Sequence, residues 1–145
     1  MSIRQAGRAD LAAATRLALL LWPEHEPEAL AADLAPLLDV PDAAIFLCEA
    51  DGQDVGYAQC QLRRDYVEGC ETSPVGYLEG VYVKEAYRRR GVASALVTAC
   101  QDWARSRGCV EFASDCELDN TDSLRFHLGV GFEEAGRVIC FTKKL

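Results

Sequence analysis

The sequence is short of positive charge. It has 15 lysines and arginines against 23 aspartates and glutamates, which gives a formal net charge of −8. Nucleic acids and anionic membranes bind basic surfaces, so we expect neither as a partner. The deficit is confined to residues 1–75, which hold 13 acidic and 5 basic residues, whereas residues 76–145 hold 10 of each. Two interpretations of this acidic half stay open: it attracts a cationic ligand, or it is an ordinary solvated surface.

Long hydrophobic runs and paired cysteines are also missing. The longest apolar stretch, residues 17–22, is far shorter than the ~20 residues that cross a bilayer. No basic-then-apolar signal peptide follows Met1. The seven cysteines are odd in number and include no Cys-x-x-Cys pair, so we predict free thiols and no metal site. Their spacing does not indicate a catalytic nucleophile either. These absences predict a cytoplasmic protein.

Repeats, low-complexity tracts and linkers are absent, and 145 residues fit one domain, so residues 1–145 are expected to fold as one unit. Hydrophobic periodicity divides the chain into helices and strands. The predicted helices are residues 11–22, 28–38, 92–107 and 119–128, and the predicted strands are residues 2–5, 43–50, 55–62, 75–83, 109–113 and 137–143. The order βααβββαβαβ indicates an α/β fold with a mixed sheet.

Arginines and a glycine form the turn between the fourth predicted strand and the third predicted helix. The turn reads Tyr-Arg-Arg-Arg-Gly-Val-Ala from Tyr87 to Ala93. Unpaired backbone N–H groups at a helix start bind phosphate, and Gly91 and Ala93 leave space for a pyrophosphate to approach. A Walker lysine and a Gly-x-Gly-x-x-Gly motif are both absent. The pattern alone therefore fits a phosphate site and a solvated basic turn equally well.

Glu79 lies inside an apolar strand. An ionised side chain is costly there unless it faces a cleft or a cationic partner. Strand alternation predicts that Glu79 and Val81 share a face, and Gly80 indicates a bulge that opens the strand. Our hypothesis is that the Val81 N–H polarises an acyl carbonyl and stabilises its oxyanion.

Other candidates have two interpretations each. Asp115 follows a strand, at the sheet edge where α/β proteins bind ligands, or it is a loop or helix-capping carboxylate. Trp22 and Tyr66 form a wall for a sugar ring or a cation, or they are ordinary aromatic residues. His25 is typical of a solvated loop histidine, and His127 of a structural one.

These motifs resemble those of a known family. The turn at residues 87–93 is similar to the Arg/Gln-x-x-Gly-x-Gly/Ala signature of the GNAT superfamily of acyl-CoA-dependent N-acyltransferases, where it binds the coenzyme A pyrophosphate. Further segments resemble aminoglycoside 6′-N-acetyltransferases of type I: residues 22–25, 66–69, 73–75, 78–81, 111–115, 119–120 and 131–132. The resemblance implies the GNAT fold, a mixed, mostly antiparallel twisted sheet with helices on both faces.

The resemblance also implies residue roles, a homodimer and acetyl-CoA as co-substrate. Acetyl-CoA would be held by Val81, Tyr82, Val83, Arg89, Arg90, Gly91, Val92, Ala93, Ser94 and Asn120. The aminoglycoside would be held by Trp22, His25, Tyr66, Glu79 and Asp115. One position departs from the family pattern, because an acidic substrate-site residue of the family is replaced here by Gly136.

The reaction expected from this resemblance is direct attack of a neutral amine on the thioester in a ternary complex. Glu79 or Asp115, through water, receives the amine's proton, while most other acidic groups bind the acceptor's remaining ammonium groups. The general acid for the leaving thiolate stays unassigned. Two other functions stay open: the same chemistry on a polyamine, metabolite amine or peptide amine, and a module that binds acetyl-CoA or aminoglycoside without catalysis.

Overall fold

Five strands and four α-helices build the computed structural model, which describes residues 1–145. The strands are β1 Ser2–Gln5, β2 Ala43–Ala50, β3 Gln53–Arg63, β4 Val75–Val83 and β5 Phe112–Ser114. The helices are α1 Leu11–Leu21, α2 Pro27–Leu34, α3 Val92–Ser106 and α4 Thr121–Gly129. The predicted α/β class with a mixed sheet is confirmed.

The sheet has the order β1-β2-β3-β4-β5 and is antiparallel except between β4 and β5. Helix α3 makes the crossover between these two parallel strands. Its apolar side packs on one face of the sheet through Leu96, Cys100 and Trp103, and α1 and α2 pack on the other face around the buried Tyr57. None of the helices is both long and apolar enough to cross a membrane.

The predicted second helix is interrupted near its end. Helix α2 begins at Pro27, where the Glu26 carboxylate caps it by accepting from two backbone N–H groups, and it ends at Leu34. A 3₁₀ turn, Ala35–Leu38, replaces the remaining residues. Pro36 explains the change, because proline has no N–H to continue the α-helical hydrogen bonds.

Strands β4 and β5 separate soon after they meet. Their pairing runs only from Gly76–Phe112 to Leu78–Ser114, although β4 continues to Val83. The edge of β4 beyond Leu78 is therefore not covered by a neighbouring strand.

The predicted bulge in β4 is confirmed. Gln59 of β3 pairs with Gly80, and the next residue, Cys60, pairs with Leu78. Glu79 is thus the extra residue of β4 and has no Cα partner. Gly80 is needed for space as well as for the bulge, because a Cβ there would lie 2.7 Å from Cζ2 of Trp22.

The bulge also shifts the alternation of the strand. Leu78 and Val81 both pack towards the α3 side, although residues three apart in a regular strand face opposite sides. Glu79 lies on the other face, where it and Tyr77 share contacts with Arg63. The prediction that Glu79 and Val81 share a face is therefore wrong, because Glu79 is itself the extra residue and interrupts the alternation of the strand.

The last predicted strand, residues 137–143, is also wrong for the single chain. No strand follows α4, and no backbone hydrogen bond joins residues 133–145 to the rest of the chain. The segment is strand-like in composition, but a strand forms only when a neighbour satisfies its backbone groups. We call residues 133–145 the tail. Its apolar side chains are open to solvent, including Ile139 at 82% and Phe141 at 86% exposure.

Candidate functional site

The turn before α3 presents backbone donors at the positive end of a helix. Gly91 has φ +79° and Arg89 has φ +63°, so two residues of the turn adopt the left-handed conformation. Nothing lies within 4 Å of a Cβ placed on Gly91, so no neighbouring protein atom requires a glycine there, whereas the positive φ does. No side chain caps α3. The first N–H groups, from Val92 to Ser94, are therefore free to bind an anion.

The three arginines of this turn have different contacts. Arg88 donates from Nε to the Val83 carbonyl at 2.8 Å and lies 5.5 Å from the Tyr82 ring, so it fixes the turn to the end of β4. Arg89 and Arg90 are exposed and make no ion pair. These two arginines therefore have no acidic partner within the chain.

The Val81 N–H faces the uncovered edge of β4. The Lys84 N–H donates to the Val55 carbonyl of β3 at 2.9 Å. Because successive N–H groups of a strand point in alternate directions, the N–H groups of Val81 and Val83 point away from β3. Strand β5 has ended by this level, so a carbonyl oxygen can approach Val81 there.

Asn120 has a local structural role. Its side-chain carbonyl accepts from the Ser123 N–H at 3.1 Å and caps α4. The amide NH₂ of Asn120 makes no hydrogen bond within the chain, which leaves it available for the expected coenzyme contact.

An acidic cavity of about 850 Å³ opens beside β5. It lies between the loop of residues 64–74, the end of β5 and the tail. Six carboxylates and two arginines line it: Glu68, Glu111, Asp115, Glu117, Glu133, Glu134, Arg63 and Arg137. Glu134 and Arg137 form an ion pair with each other. The cavity is therefore suited to a cationic ligand.

Glu79 and Asp115 are joined through two other residues. The Arg63 guanidinium donates to both carboxylate oxygens of Glu79, at 2.9 and 3.0 Å, and its carbon lies 3.4 Å from the centre of the Tyr77 ring. The Tyr77 hydroxyl in turn donates to Asp115. Burial and the nearby Asp115 carboxylate raise the pKa of Tyr77 above its ordinary value, so the phenol keeps its proton.

Trp22 lies beside the bulge of β4, and His25 lies beside Trp22. Trp22 contacts the bulge at Gly80 and packs edge-on against Tyr57, with ring centres 6.2 Å apart. The His25 ring lies 6.4 Å from that of Trp22. Neither residue lines the acidic cavity, whereas Tyr66, which is 79% exposed, and Asp115 do.

Two positions that our sequence analysis did not select also belong to this region. Glu68 lies in the cavity wall, where the Tyr66 hydroxyl donates to it at 3.4 Å. A Cβ on Gly136 would lie 3.1 Å from Glu68 Oε1, so the carboxylate fills the space beside this glycine. Arg63 is the other such residue. Its contact with Glu79 follows from the register of β3 and β4, and the bulge makes that register hard to infer from the sequence.

His127 connects α4 to the end of the β4–β5 pairing. Its Nδ1 lies 2.7 Å from the Ser123 carbonyl, and its Nε2 lies 2.8 Å from Ser114 Oγ. Ser114 Oγ is also 3.1 Å from the Leu78 carbonyl. These contacts agree with the structural role predicted for His127.

Comparison with known proteins connects this geometry to a family. The model of the acetyltransferase (GNAT) family matches residues 11–132. The chain belongs to the GNAT acetyltransferase family. It is 43% identical to aminoglycoside N(6′)-acetyltransferase type 1 of Salmonella typhimurium over 144 residues, 99% of each chain. The enzyme of the same name from Stenotrophomonas maltophilia is 44% identical over 99% of this chain and 94% of its own.

Solved GNAT structures agree closely with this one. The structure of AAC(6′)-Iy in complex with the bisubstrate analogue CoA-S-monomethyl-acetylneamine is 42% identical, with a TM-score of 0.95 over 99% of this chain and 98% of that one. The ligand-free AAC(6′)-IG of Acinetobacter haemolyticus is 39% identical, with a TM-score of 0.95 over 100% and 99%. In this GNAT chain the uncovered edge of β4 lies between the turn before α3 and the acidic cavity.

Proposed function

We propose that the protein is an acetyl-CoA-dependent aminoglycoside 6′-N-acetyltransferase that confers antibiotic resistance. The observation that carries the proposal is the acidic cavity beside the uncovered edge of β4, with a phosphate-binding turn beyond that edge. A cavity with six carboxylates matches a polycationic acceptor better than a neutral one. The names of the full-length relatives and the bound analogue of AAC(6′)-Iy support the same acceptor.

The turn before α3 fits the phosphates of acetyl-CoA. Its unpaired N–H groups and the exposed Arg89 and Arg90 would bind the pyrophosphate, and the open space at Gly91 lets the backbone approach it. Acetyl-CoA supplies an acetyl group that is activated as a thioester. The Val81 N–H would bind the carbonyl oxygen of that group at the open edge.

The acceptor amine must lose a proton before it can attack. A Lys-like ammonium has a pKa of about 10.4 and is mostly charged at neutral pH. Carboxylates around the reacting nitrogen stabilise its charged form, so the cavity acids are best used on the other ammonium groups. Glu79 or Asp115 would accept the single proton through water. The reaction therefore needs one carboxylate as a base and several as binding groups.

A thiol-release assay with acetyl-CoA tests the function. We expect release with kanamycin and tobramycin, and much weaker release with spermidine or a lysine peptide. A matched pair of aminoglycosides with an amine or a hydroxyl at the 6′ position tests the regiochemistry. Equal rates for both members would contradict 6′-N-acetylation. Binding of both substrates without thiol release would instead identify a non-catalytic module.

The tail supports a homodimer as the working unit. Its strand-like residues 137–143 have no partner within the chain, and Val138, Ile139 and Phe141 are exposed. A second copy of the chain would cover these side chains and pair this backbone. In analytical ultracentrifugation we expect a dimer for the full chain and a monomer after deletion of residues 137–145. A monomeric full chain would contradict the proposal.

Residues 1–145 would act as one acetyltransferase domain in the cytoplasm. The seven cysteines support this compartment, since all are free and four of them are buried. Expression in a susceptible bacterium should raise the inhibitory concentration of kanamycin. Unchanged susceptibility in cells that contain active enzyme would argue that resistance is not its role.

A further inference from the structure

We propose that Arg63 occupies, in the ligand-free protein, the place that an ammonium group of the acceptor takes on binding, so that the acceptor displaces Arg63 from Glu79. The inference rests on the proposed function, because it presupposes a polycationic acceptor. It adds a residue that sets acceptor affinity from within the protein.

The surroundings of the Arg63 guanidinium are those of a bound ammonium ion. Nη2 donates to both oxygens of Glu79, and Nε donates to one of them at 3.2 Å. The guanidinium carbon lies 3.4 Å from the centre of the Tyr77 ring. A carboxylate and an aromatic face are the two groups that proteins use to bind alkylammonium ligands. Arg63 therefore satisfies a cation site with the protein's own cation.

Arg63 stands between the cavity and Glu79. Arg63 and Tyr77 line the cavity, whereas Glu79 does not. The Glu79 side chain is 18% exposed and the Arg63 side chain 38%. An acceptor that enters the cavity therefore meets the guanidinium before it meets the carboxylate. The other arginine of the cavity wall, Arg137, is paired with Glu134, which leaves Arg63 as the cation that competes for Glu79.

Separating Arg63 from Glu79 costs little free energy. Arg63 is the last residue of β3, so its side chain can move without breaking the strand pairing. A partly exposed ion pair contributes little net stability, because water and the surrounding charges compensate for its loss. One ammonium group of the acceptor carries the same charge as the guanidinium that it replaces. The Glu79 carboxylate therefore has a cationic partner both before and after the acceptor binds.

A different role for Arg63 makes the opposite prediction. If Arg63 holds Glu79 in its reactive position, its loss should lower kcat and leave acceptor affinity unchanged. If Arg63 competes with the acceptor, its loss should strengthen acceptor binding, because the guanidinium no longer occupies Glu79. The direction of the change in acceptor affinity therefore separates competition from positioning.

The test compares Arg63→Gln with Arg64→Gln. Arg64 is the adjacent residue and pairs with Asp42 on the surface, so its replacement removes the same charge outside the site. Calorimetric titration with tobramycin, without acetyl-CoA, measures acceptor binding alone. We expect Arg63→Gln to bind tobramycin about 3- to 5-fold more tightly than Arg64→Gln, the size of one partly exposed ion pair. Equal or weaker binding by Arg63→Gln overturns the proposal.

Two further measurements test the proposal even if Arg63→Gln does not fold. Arg63→Lys keeps the charge but loses the two-pronged contact, so we expect a smaller gain in affinity. In the unchanged protein, the NMR signal of the Arg63 Nε–H should move towards that of a solvated arginine when tobramycin saturates the site. An unmoved signal overturns the proposal.

The wild-type protein separates this inference from the proposed function. Thiol release with tobramycin, together with no gain in affinity for Arg63→Gln, overturns the Arg63 proposal alone. Absence of both tobramycin binding and thiol release in the wild type overturns both.

Discussion

Under the proposed function, the two sides of the uncovered β4 edge meet partners of opposite charge, and they are built in different ways. On the coenzyme side, a single run of residues, 88–94, provides backbone donors and exposed arginines. On the acceptor side, β3, the loop of residues 64–74, β5 and the tail each contribute side chains to one acidic cavity. A local turn fixes the first site, whereas contacts between distant segments fix the second. Substitutions should therefore separate the two, by changing KM for one substrate and not the other.

Among single replacements, the largest expected effect is that of Glu79→Gln. Gln keeps the size of the side chain and can still accept from Arg63, but it cannot take a proton from the amine. If Glu79 is the general base, kcat/KM for tobramycin should fall by about 10²- to 10⁴-fold. KM for acetyl-CoA should not change, because Glu79 lies on the acceptor side of the edge. Steady-state thiol release measures both constants.

Glu49→Gln is the matched control for this change. Glu49 lies in β2 and faces solvent beside Arg4, so the same loss of charge occurs away from the site. Turnover close to wild type in Glu79→Gln would leave Asp115 as the proton acceptor.

Gly91→Ala should affect acetyl-CoA and not the acceptor. A side chain at φ +79° strains the backbone by about 1–2 kcal/mol, and the turn can relieve the strain only by moving its N–H groups. That energy corresponds to about a 5- to 30-fold rise in KM for acetyl-CoA. We expect KM for tobramycin to stay unchanged in the same kinetic assay.

Gly7→Ala controls for the added methyl group. Neither glycine has a heavy atom within 4 Å of a new Cβ, but Gly7 has an ordinary negative φ of −110°. A rise in KM for acetyl-CoA in both variants would show that the left-handed backbone at Gly91 is not the cause.

The turn before α3 was predictable because its signals are local. Arg-Arg-Arg-Gly before an amphipathic helix indicates a turn and a helix start within seven residues. The bulge at Gly80 was predictable for the same reason. The cavity was not, since the place of Arg63 over Glu79 and Tyr77 depends on a strand register that the bulge itself shifts. The contact of Glu68 with Gly136 joins segments 68 residues apart.

The tail shows a second reason why the sequence is insufficient. Its apolar run and β-branched residues predict a strand at residues 137–143, yet strand formation depends on a neighbour that the single chain does not provide. Trp22 and His25 were expected in one site with Tyr66 and Asp115. The fold places Trp22 at the bulge with His25 beside it, and it places Tyr66 and Asp115 at the cavity.

A smaller effect on the acceptor side is expected from Glu68→Gln. Glu68 lies beside Gly136, where the family resemblance implies an acidic residue, so the Glu68 carboxylate can provide that charge. Loss of one partly exposed ion pair should raise KM for tobramycin by about 2- to 5-fold. The difference from wild type should shrink at high salt, because salt screens the cavity's field. Kinetics at two ionic strengths measure it.

Gly136→Ala tests the same contact from the other side. The new methyl group would lie 3.1 Å from Glu68 Oε1, so the carboxylate would have to shift by a few tenths of an ångström without any change in charge. If both variants leave KM for tobramycin unchanged, Glu68 does not bind the acceptor.

The smallest effect is expected on the stability of the cavity wall. Glu111 accepts from the backbone N–H of Glu71 and Thr72, at 2.9 and 2.8 Å, and from the Thr72 hydroxyl. The Thr72 hydroxyl and these N–H groups lower the pKa of Glu111 below its ordinary value. Its stabilising contribution is therefore present above the ordinary carboxyl pKa and is lost as the pH falls through the lowered value.

We expect Glu111→Gln to lower Tm slightly at pH 7, and we expect the difference from wild type to disappear in acid. Thermal unfolding at pH 7 and near pH 3 measures this, with Glu117→Gln as the control for an exposed cavity carboxylate without these donors. A difference that is the same at both pH values would contradict the role of the ionised Glu111.

The extra residue in β4 makes the enzyme sensitive to chain length as well as to side-chain chemistry. Deletion of the Glu79 codon would leave Leu78 and Val81 two positions apart, so regular alternation would keep both side chains on the α3 side. The core contacts of β4 would survive, whereas the bulge and the contact of Glu79 with Arg63 would be lost. We therefore expect a one-residue deletion here to give a folded but inactive protein, and Glu79→Gln, which keeps the bulge, to have a smaller effect.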